Sequence, residues 1–526
     1  MRPIRSLILL LSLLLLAVSC IDGPQGNLQS VTVDVETLKI PVNGSVSFLF
    51  RVAEADYSFD LDKDVELYIG KGPFQATKDF ALDRVERDTV PGQYRAFVKD
   101  KGESDDYYEE VTLGVRKLDG GMVLSAMFHC SGEYGGPLGP VQKTGLPILY
   151  LDTQYGAAIT SKETYVKAGL SLQEPGSKEI SEPLACSVRG RGNTTWEWPK
   201  KPYLVKLDSK ASLLGMPAHK RWVLLANFMD RTMMRNLVAM KVSSMTSLAW
   251  TPRCRSVELV LNGKHQGTYL LIEQVRVDKN RVNVGNDGWL IESDFHFDNE
   301  VQWMDPHGRC VQFPEGIPFG IKNPDPDDIT PAQVEEVKQF ISETAGIIYG
   351  PSFADSEAGY ASRLDVASFI DYWIVFEVMG NHELGNPGSV FYHRKPGGKL
   401  VAGPCWDFDW GVLSYNANPQ AQTGLVNGKA CWYSRLFEDP VFKARVKARF
   451  EELLPQLQTI PDYIDELEKQ LSKSAVLNFQ MWNPAEDANM NGWRIINGDE
   501  NMTFTDAVAR LKTIYQERLT VIQEHL

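Results

Sequence analysis

Gly403-Pro-Cys-Trp-Asp-Phe-Asp-Trp-Gly411 holds the densest chemical signal in the chain. Read as an extended segment, it turns Asp407 and Asp409 to one side and Phe408 and Trp410 to the other, into a core, because side chains alternate along a strand. Two carboxylates on one face can bind a hard cation. Magnesium is commonly held by one or two carboxylates plus substrate phosphates, whereas calcium needs more oxygen ligands than this pair supplies. The same string also suits a solvated turn with aromatic anchors, and spacing alone leaves both readings open.

Working upstream, Glu377-Val-Met-Gly-Asn-His-Glu-Leu-Gly-Asn-Pro-Gly-Ser389 leaves an apolar helix and enters a turn-rich polar stretch ahead of the strand Val390-Phe-Tyr-His-Arg394. Polar residues delivered from the end of a buried helix are well placed for a site. Glu383 could accept a proton or hold a metal, with Asn381, Asn386 or Ser389 completing coordination; helix capping and turn formation are the alternative. Further upstream lies Arg189-Gly-Arg-Gly-Asn-Thr-Thr-Trp-Glu-Trp-Pro-Lys-Lys-Pro-Tyr-Leu-Val-Lys206. Arginine and lysine beside a Gly-rich turn can meet phosphate oxygens with cationic groups and backbone N–H donors, which makes Arg191 a candidate anion ligand. Lys206 alternates onto the face of Leu204, where a lysine often does no more than snorkel.

Around these stretches the chain reads as mixed α+β. Leu184–Arg189 and Tyr203–Leu207 look like paired strands, and Ser256–Glu273 like a hairpin turning at Asn262-Gly263. Asp230 is expected to cap a helix running to about Met245. Thr330, Pro331 and Gln333 make a capping box, Asp365 opens a third helix, and Thr505–Leu526 carries apolar residues at helical spacing. Residues 28–130 differ, because short alternating strands such as Val46–Val52 and Tyr94–Val98 follow one another with no helical period, predicting a small immunoglobulin-like β-sandwich. Residues 131–144, rich in Gly and Pro, are the expected linker, and 145–526 the second domain. A phosphate-cradling loop fits that stretch poorly, since its prolines remove N–H donors.

The first residues read as a targeting signal. Arg2 and Arg5 precede the apolar run Ser6–Val18, and small residues crowd Cys20, resembling a bacterial lipoprotein signal over 1–19 with a lipidated Cys20 and a tether to residue 27. The run is shorter than the ~20 apolar residues of a membrane span. An exported, lipid-anchored protein at the outer membrane or cell surface is the expectation. The six remaining cysteines are widely spaced with no Cys-x-x-Cys pair, so neither a zinc ribbon nor a redox dithiol is indicated, and buried thiols are expected. At 526 residues, with 54 basic against 68 acidic side chains, the chain is long enough for two domains and too acidic to grip nucleic acid phosphates without specificity.

The Arg-Gly-x-Gly-Asn-Thr turn, Asn227-Phe-Met-Asp230 followed by Arg235-Asn236, Tyr269-Leu-Leu-Ile-Glu273 and Trp406-Asp-Phe-Asp409 occur in the order that resembles the CotH kinase family, known from spore coat proteins. The resemblance runs from about Ile148 to Ser414 at the level of motifs. It implies an atypical protein-kinase-like fold that uses ATP and magnesium, with Asp407 the metal-binding aspartate, Asp409 its neighbour, and Lys206 with Glu273 a nucleotide-orienting pair. One position departs from the family, where Asn-x-Asp is common and this chain has Asn381-His-Glu383. The function so implied is an extracytoplasmic kinase acting on Ser or Thr of a surface protein. Two further readings are a kinase-like surface lipoprotein that serves as a binding or assembly module, and an aromatic surface for glycan built on Trp196 and Trp198. No Ser-His-Asp order, His-Glu-x-x-His or Gly-x-Ser-x-Gly string supports a hydrolase.

Overall fold

In the computed structural model all residues are described except 1–29, 41–44, 54–59, 70–76, 78–79, 102–107, 117–122, 133–138 and 484–496. Cys20 and its surrounding signal therefore lie outside the described residues, as does part of the expected linker. Eight strands come first: β1 (Val31–Val33), β2 (Thr37–Ile40), β3 (Ser45–Val52), β4 (Val65–Ile69), β5 (Phe80–Arg87), β6 (Gln93–Asp100), β7 (Tyr108–Arg116) and β8 (Val123–Gly132). They form two four-stranded sheets in the orders β1-β3-β6-β5 and β2-β8-β7-β4. Alternation sends Phe48, Phe50, Ala96 and Val98 of one sheet and Val111, Leu113 and Phe128 of the other into one shared apolar cluster. Phe48 meets Phe128 across it with ring centroids 4.7 Å apart. β8 runs to Gly132, and Gly139–Gln142 is a short helix whose Val141 packs on Ile148, Tyr150 and Val260, so ordered elements occupy both ends of the expected linker.

A seven-stranded closed barrel follows. Its strands are β9 (Ile148–Thr153), β10 (Val166–Gln173), β11 (Leu184–Gly190), β12 (Tyr203–Leu213), β13 (Met216–Leu225), β14 (Cys254–Leu261) and β15 (Lys264–Glu273), in the order β10-β11-β12-β13-β15-β14-β9. The hairpin between β14 and β15 turns at Asn262-Gly263, both with positive φ (50° and 78°), the conformation that Asn-Gly favours in two-residue turns. Tyr203, Val205, Trp222, Leu224, Tyr269 and Leu271 fill the barrel, while Leu204, Val223, Leu225, Leu270 and Ile272 on the alternate face enter a second, larger core. Strands buried on both faces explain the unbroken apolar run Trp222–Leu225.

The second core is shared with the sheet β17-β18-β16-β19-β20 and a set of helices. Its strands are β16 (Trp289–Ser293), β17 (Gln302–Asp305), β18 (Ile317–Asn323), β19 (Val390–Arg394) and β20 (Val401–Ala402). Helix Pro331–Tyr349 begins with the expected capping box at Thr330, and helix Val366–Val378 begins at Asp365, whose side chain accepts from Ser368 N. Helix Phe504–His525 closes the chain. Asp230 is not the residue that immediately precedes the helix, which is Arg235–Ser244, but its carboxylate serves that start: Oδ2 accepts from Arg235 N, the first helical N–H, at 2.8 Å, and Oδ1 pairs with the Arg235 guanidinium. The cysteines 186, 254, 310, 405 and 431 are free thiols, buried apart from the half-buried Cys431, and Cys130 is buried in the sandwich core. Among the described residues, no helix is long and apolar enough to cross a membrane.

One ion pair ties the last helix to this core. Arg518 and Glu377 are both fully buried and meet at 2.6 Å, and Glu377 also accepts from Val426 N at 2.7 Å and Asn427 N at 2.8 Å. Removing one member of such a pair leaves the other charged and dry. Arg518→Leu is therefore expected to lower the unfolding free energy by about 3 to 5 kcal/mol, read in urea, while Arg518→Leu combined with Glu377→Met recovers part of that loss. Equal losses in the single and double variants would show that the pair itself is not the source.

Candidate functional site

A cavity of about 360 Å³ opens between the barrel and the β16–β20 sheet. Separate parts of the chain line it, chief among them the turn after β11, the end of β13, the segment leaving β16, and the loops 383–389 and 407–410. The turn after β11 is tight by composition. A Cβ on Gly190 would lie 2.3 Å from the Trp196 ring, and one on Gly192, at φ +84°, would lie 2.0 Å from Thr195 Oγ1. The turn delivers Arg191 into the cavity, its guanidinium 5.5 Å from the centre of the Trp406 ring and facing Asp407, Asp409 and Glu292. Trp196 lies half-buried under Gly190, and Trp198 packs with Phe228 and Met229 at the cavity wall, so the two rings do not form one exposed aromatic surface.

Asp407 and Asp409 both reach the cavity, though not because their segment is extended. Asp407 has φ 67°, and the chain from 403 to 408 pairs with no strand. The segment is clamped from behind. Asn236 Oδ1 accepts from Phe408 N at 2.8 Å, Arg235 Nε donates to Val412 O at 2.8 Å, and Asn497 Oδ1 accepts from Gly411 N at 2.9 Å. Asn497 Nδ2 donates to Asp409 O at 3.1 Å. Phe408 packs on Phe376 as the alternation required, whereas Trp410 lines the cavity beside Trp198 instead of entering the core, since the turn breaks the alternation.

The floor is strongly acidic. Asp407 and Asp409 are in side-chain contact, and burial raises both carboxyls, Asp409 well above the usual carboxylate range. Burial, with Asp407 and Asp294 beside it, also holds Glu383 well above that range; Asn381 Nδ2 donates to its Oε2 at 3.2 Å. Asn193 Nδ2 donates to Asp298 Oδ2 at 3.2 Å, joining the Gly-rich turn to the segment after β16. Among the described residues no three carboxylate, imidazole or thiol groups form a ready ligand set, so a divalent cation here would need oxygens from elsewhere. The donor chemistry fits that need: two adjoining carboxylates for magnesium, and Arg191 for phosphate.

Of the residues singled out from sequence, Arg191, Glu383, Asp407 and Asp409 are brought together. Lys206, Glu273 and Asn386 are not in the cavity wall. Lys206 is exposed on β12, past the point where that face of the strand leaves the second core, opposite Arg221. Glu273 is buried but neutralised elsewhere, accepting from Arg253 N at 2.9 Å and Arg253 Nη1 at 3.2 Å, with Arg281 Nε at 3.8 Å. Asn386 Oδ1 accepts from Gln312 N at 3.1 Å. The lysines that do reach the wall are Lys162, Lys200 and Lys322; Lys200 is buried, its pKa lowered by burial to about 7, its Nζ donating to Ala226 O and Asn478 Oδ1 at 2.9 Å each. Sequence reading also passed over Asp294, His296 and Asp298, although their Asp-x-His-x-Asp spacing after a buried strand repeats the alternation of Asp407 and Asp409.

The raised carboxyls carry a pH signature. At low pH they are protonated in folded and unfolded chains alike, whereas above the usual carboxylate range the unfolded chain ionises freely and the folded one resists. Wild-type protein is therefore expected to lose stability relative to Asp409→Asn as pH rises from about 4 to 8 without divalent cation. Thermal melts of the two proteins across that range check it, and a constant difference would refute it.

A family model described as CotH kinase protein matches residues 188–522, a span that contains Arg191, the Asn227–Asn236 clamp, Glu383, Asp407 and Asp409. No curated protein matches the chain. The family match covers more than half of the sequence and the motifs it spans converge on one cavity, so the chain belongs to the CotH kinase protein family.

Proposed function

We propose that the protein is an atypical kinase that transfers the γ-phosphate of ATP to Ser or Thr of a surface protein. Its fold is then protein-kinase-like, with the barrel and the helix-bearing part enclosing the nucleotide, and the N-terminal strands forming an immunoglobulin-like sandwich that presents it. The observation that carries this reading is the juxtaposition, in one cavity, of Arg191 with the adjoining carboxyls of Asp407 and Asp409. Carboxylates crowded together and out of water suit a cation, and a guanidinium beside them suits the phosphates that bring it. Asp407 and Asp409 would hold the magnesium, with phosphate oxygens completing its shell, and Glu383 adds negative charge at its side. The magnesium–nucleotide complex supplies the transferable phosphoryl group. Arg191 neutralises and orients it, and the surrounding apolar wall of Trp198, Phe228 and Trp410 excludes water that would otherwise compete as acceptor.

Calorimetry with magnesium and ATP tests the reading. Wild type is expected to bind only with both present. Asp407→Asn should lose that binding while melting close to wild type, because neutralising one of two crowded carboxyls relieves repulsion. A structural aspartate would behave otherwise, since loss of its hydrogen bonds would destabilise the fold by ~1 to 3 kcal/mol and spare nucleotide affinity. Equal affinity in wild type and variant would leave the binding-module reading in place.

The location proposed is the outer membrane or cell surface, through acyl chains on Cys20, whose buried methylenes supply the anchoring energy. Cys20→Ala should release the protein from membranes. If the variant still sediments with them after a carbonate wash, the anchor lies elsewhere.

A further inference from the structure

Asp294 and His296 leave the end of β16 in Ser293-Asp-Phe-His-Phe-Asp298 and form a dyad inside the cavity. Asp294 Oδ1 accepts from both His296 N and His296 Nδ1 at 2.8 Å, and Asp294 Oδ2 accepts from Ser389 N at 3.2 Å. The carboxylate is thereby held from two strands' ends, its side chain only 10% exposed, while the imidazole is 32% exposed. A carboxylate at Nδ1 selects the tautomer that carries its hydrogen there, which leaves the Nε2 lone pair unshared. The ring is fixed in plane by stacking on Phe295, centroids 4.1 Å apart at 27°. Phe295 in turn packs beside Gly388 and Glu383. Among the described residues lining the cavity, His296 is the one imidazole.

We propose that His296 is the general base of the phosphoryl transfer, its Nε2 taking the proton of the acceptor hydroxyl, with Asp294 as its positioning residue. The inference rests on the kinase reading above and deepens it. The charge distribution divides the labour: Asp407, Asp409 and Glu383 face one another and Arg191, where carboxylate lone pairs are committed to cation and counter-charge, whereas the His296 edge faces open cavity. In the step itself the hydroxyl oxygen bonds to the γ-phosphorus as the bond from that phosphorus to the bridging oxygen breaks. ADP leaves with that electron pair, and the hydroxyl proton passes to Nε2, from which solvent removes it through the exposed ring edge. The charged groups facing the imidazole are Asp294 and Asp298 on its own segment and Asp407 across the cavity; all favour the imidazolium that the step creates.

The test uses the full chain, magnesium–ATP and dephosphorylated casein, with phosphate transfer to casein and to the protein itself measured beside nucleotide affinity. His296→Gln is expected to bind magnesium–ATP within about threefold of wild type while transfer falls by about 100- to 10,000-fold, the usual range for loss of a general base. Wild-type kcat should fall on the acid side as His296 protonates, and the variant should lack that limb. Asp294→Asn should lower kcat with KM unchanged, because it disturbs the tautomer and not nucleotide binding. Should His296→Gln melt early, His296→Ala removes the ring without adding a buried amide. Undiminished transfer in these variants, or parallel loss of affinity and transfer, overturns the assignment. Wild-type protein that binds no magnesium–ATP, or binds it and phosphorylates no hydroxyl, overturns the kinase reading and this assignment together, whereas wild-type transfer that persists in His296→Gln overturns the base alone.

Discussion

One buried guanidinium organises the site. Arg235 stands between two carboxylates, pairing with Asp230 and meeting Asp499 Oδ2 at 2.6 Å, and its remaining Nε reaches Val412 O. Each of the three side chains would be costly to bury alone, so the cluster is stable only when complete. Completion fixes the relative placement of three distant segments: the loop after β13, the Asp407–Val412 turn and the segment entering the last helix. Asn236, next along the same helix, then sets the Phe408 N–H. The acidic pair in the cavity is thus positioned from behind, by groups that never touch it.

That arrangement explains how the cavity can store so much like charge. Asp407, Asp409, Glu383 and Asp294 would drift apart on flexible loops. Here Asn236 holds Phe408 N, Asn497 holds Asp409 O, Asn381 holds Glu383 N and Ser389 N holds the Asp294 carboxylate, so burial, with crowding added to it, raises the carboxyls of Asp407, Asp409 and Glu383 instead of the groups moving apart. Arg191 offsets part of the charge from the opposite wall. A ligand that carries both a cation and anionic oxygens relieves both walls together, a pattern more selective than either wall alone.

Much of this was legible in the residues themselves. Helix starts at Thr330 and Asp365, the Asn262-Gly263 hairpin and the two-sheet alternation of residues 31–132 rest on local rules, and local rules suffice where the chain interacts with its own neighbours. The family motifs located Arg191, Asp407 and Asp409, although alternation misjudged Trp410, because the alternation holds through Phe408 and Asp409 and ends in the bend over Asp409–Gly411, where Gly411 has φ 70°. Asp230 showed a different limit: its carboxylate does accept the first helical N–H, at Arg235, and takes the Arg235 guanidinium as well, but the helix begins later than the sequence suggested. Lys206 and Glu273 failed for a different reason. Which of several lysines and glutamates meet depends on barrel closure and on Arg253 and Arg281, and no spacing in the sequence encodes that.

The Arg518–Glu377 pair also sets an order of events. Synthesis runs from the N-terminus, and helix Phe504–His525 is made long after Glu377. Until it emerges, Glu377 has no partner for its buried charge, and the loop it braces through Val426 and Asn427 lies unsupported just ahead of Asn381 and Glu383. The barrel can close once β14 and β15 have been made, through the parallel pairing of β14 with β9, but the cavity cannot. Assembly of the site is therefore deferred until that helix has been made, which keeps a growing polypeptide free of a half-built, strongly acidic pocket.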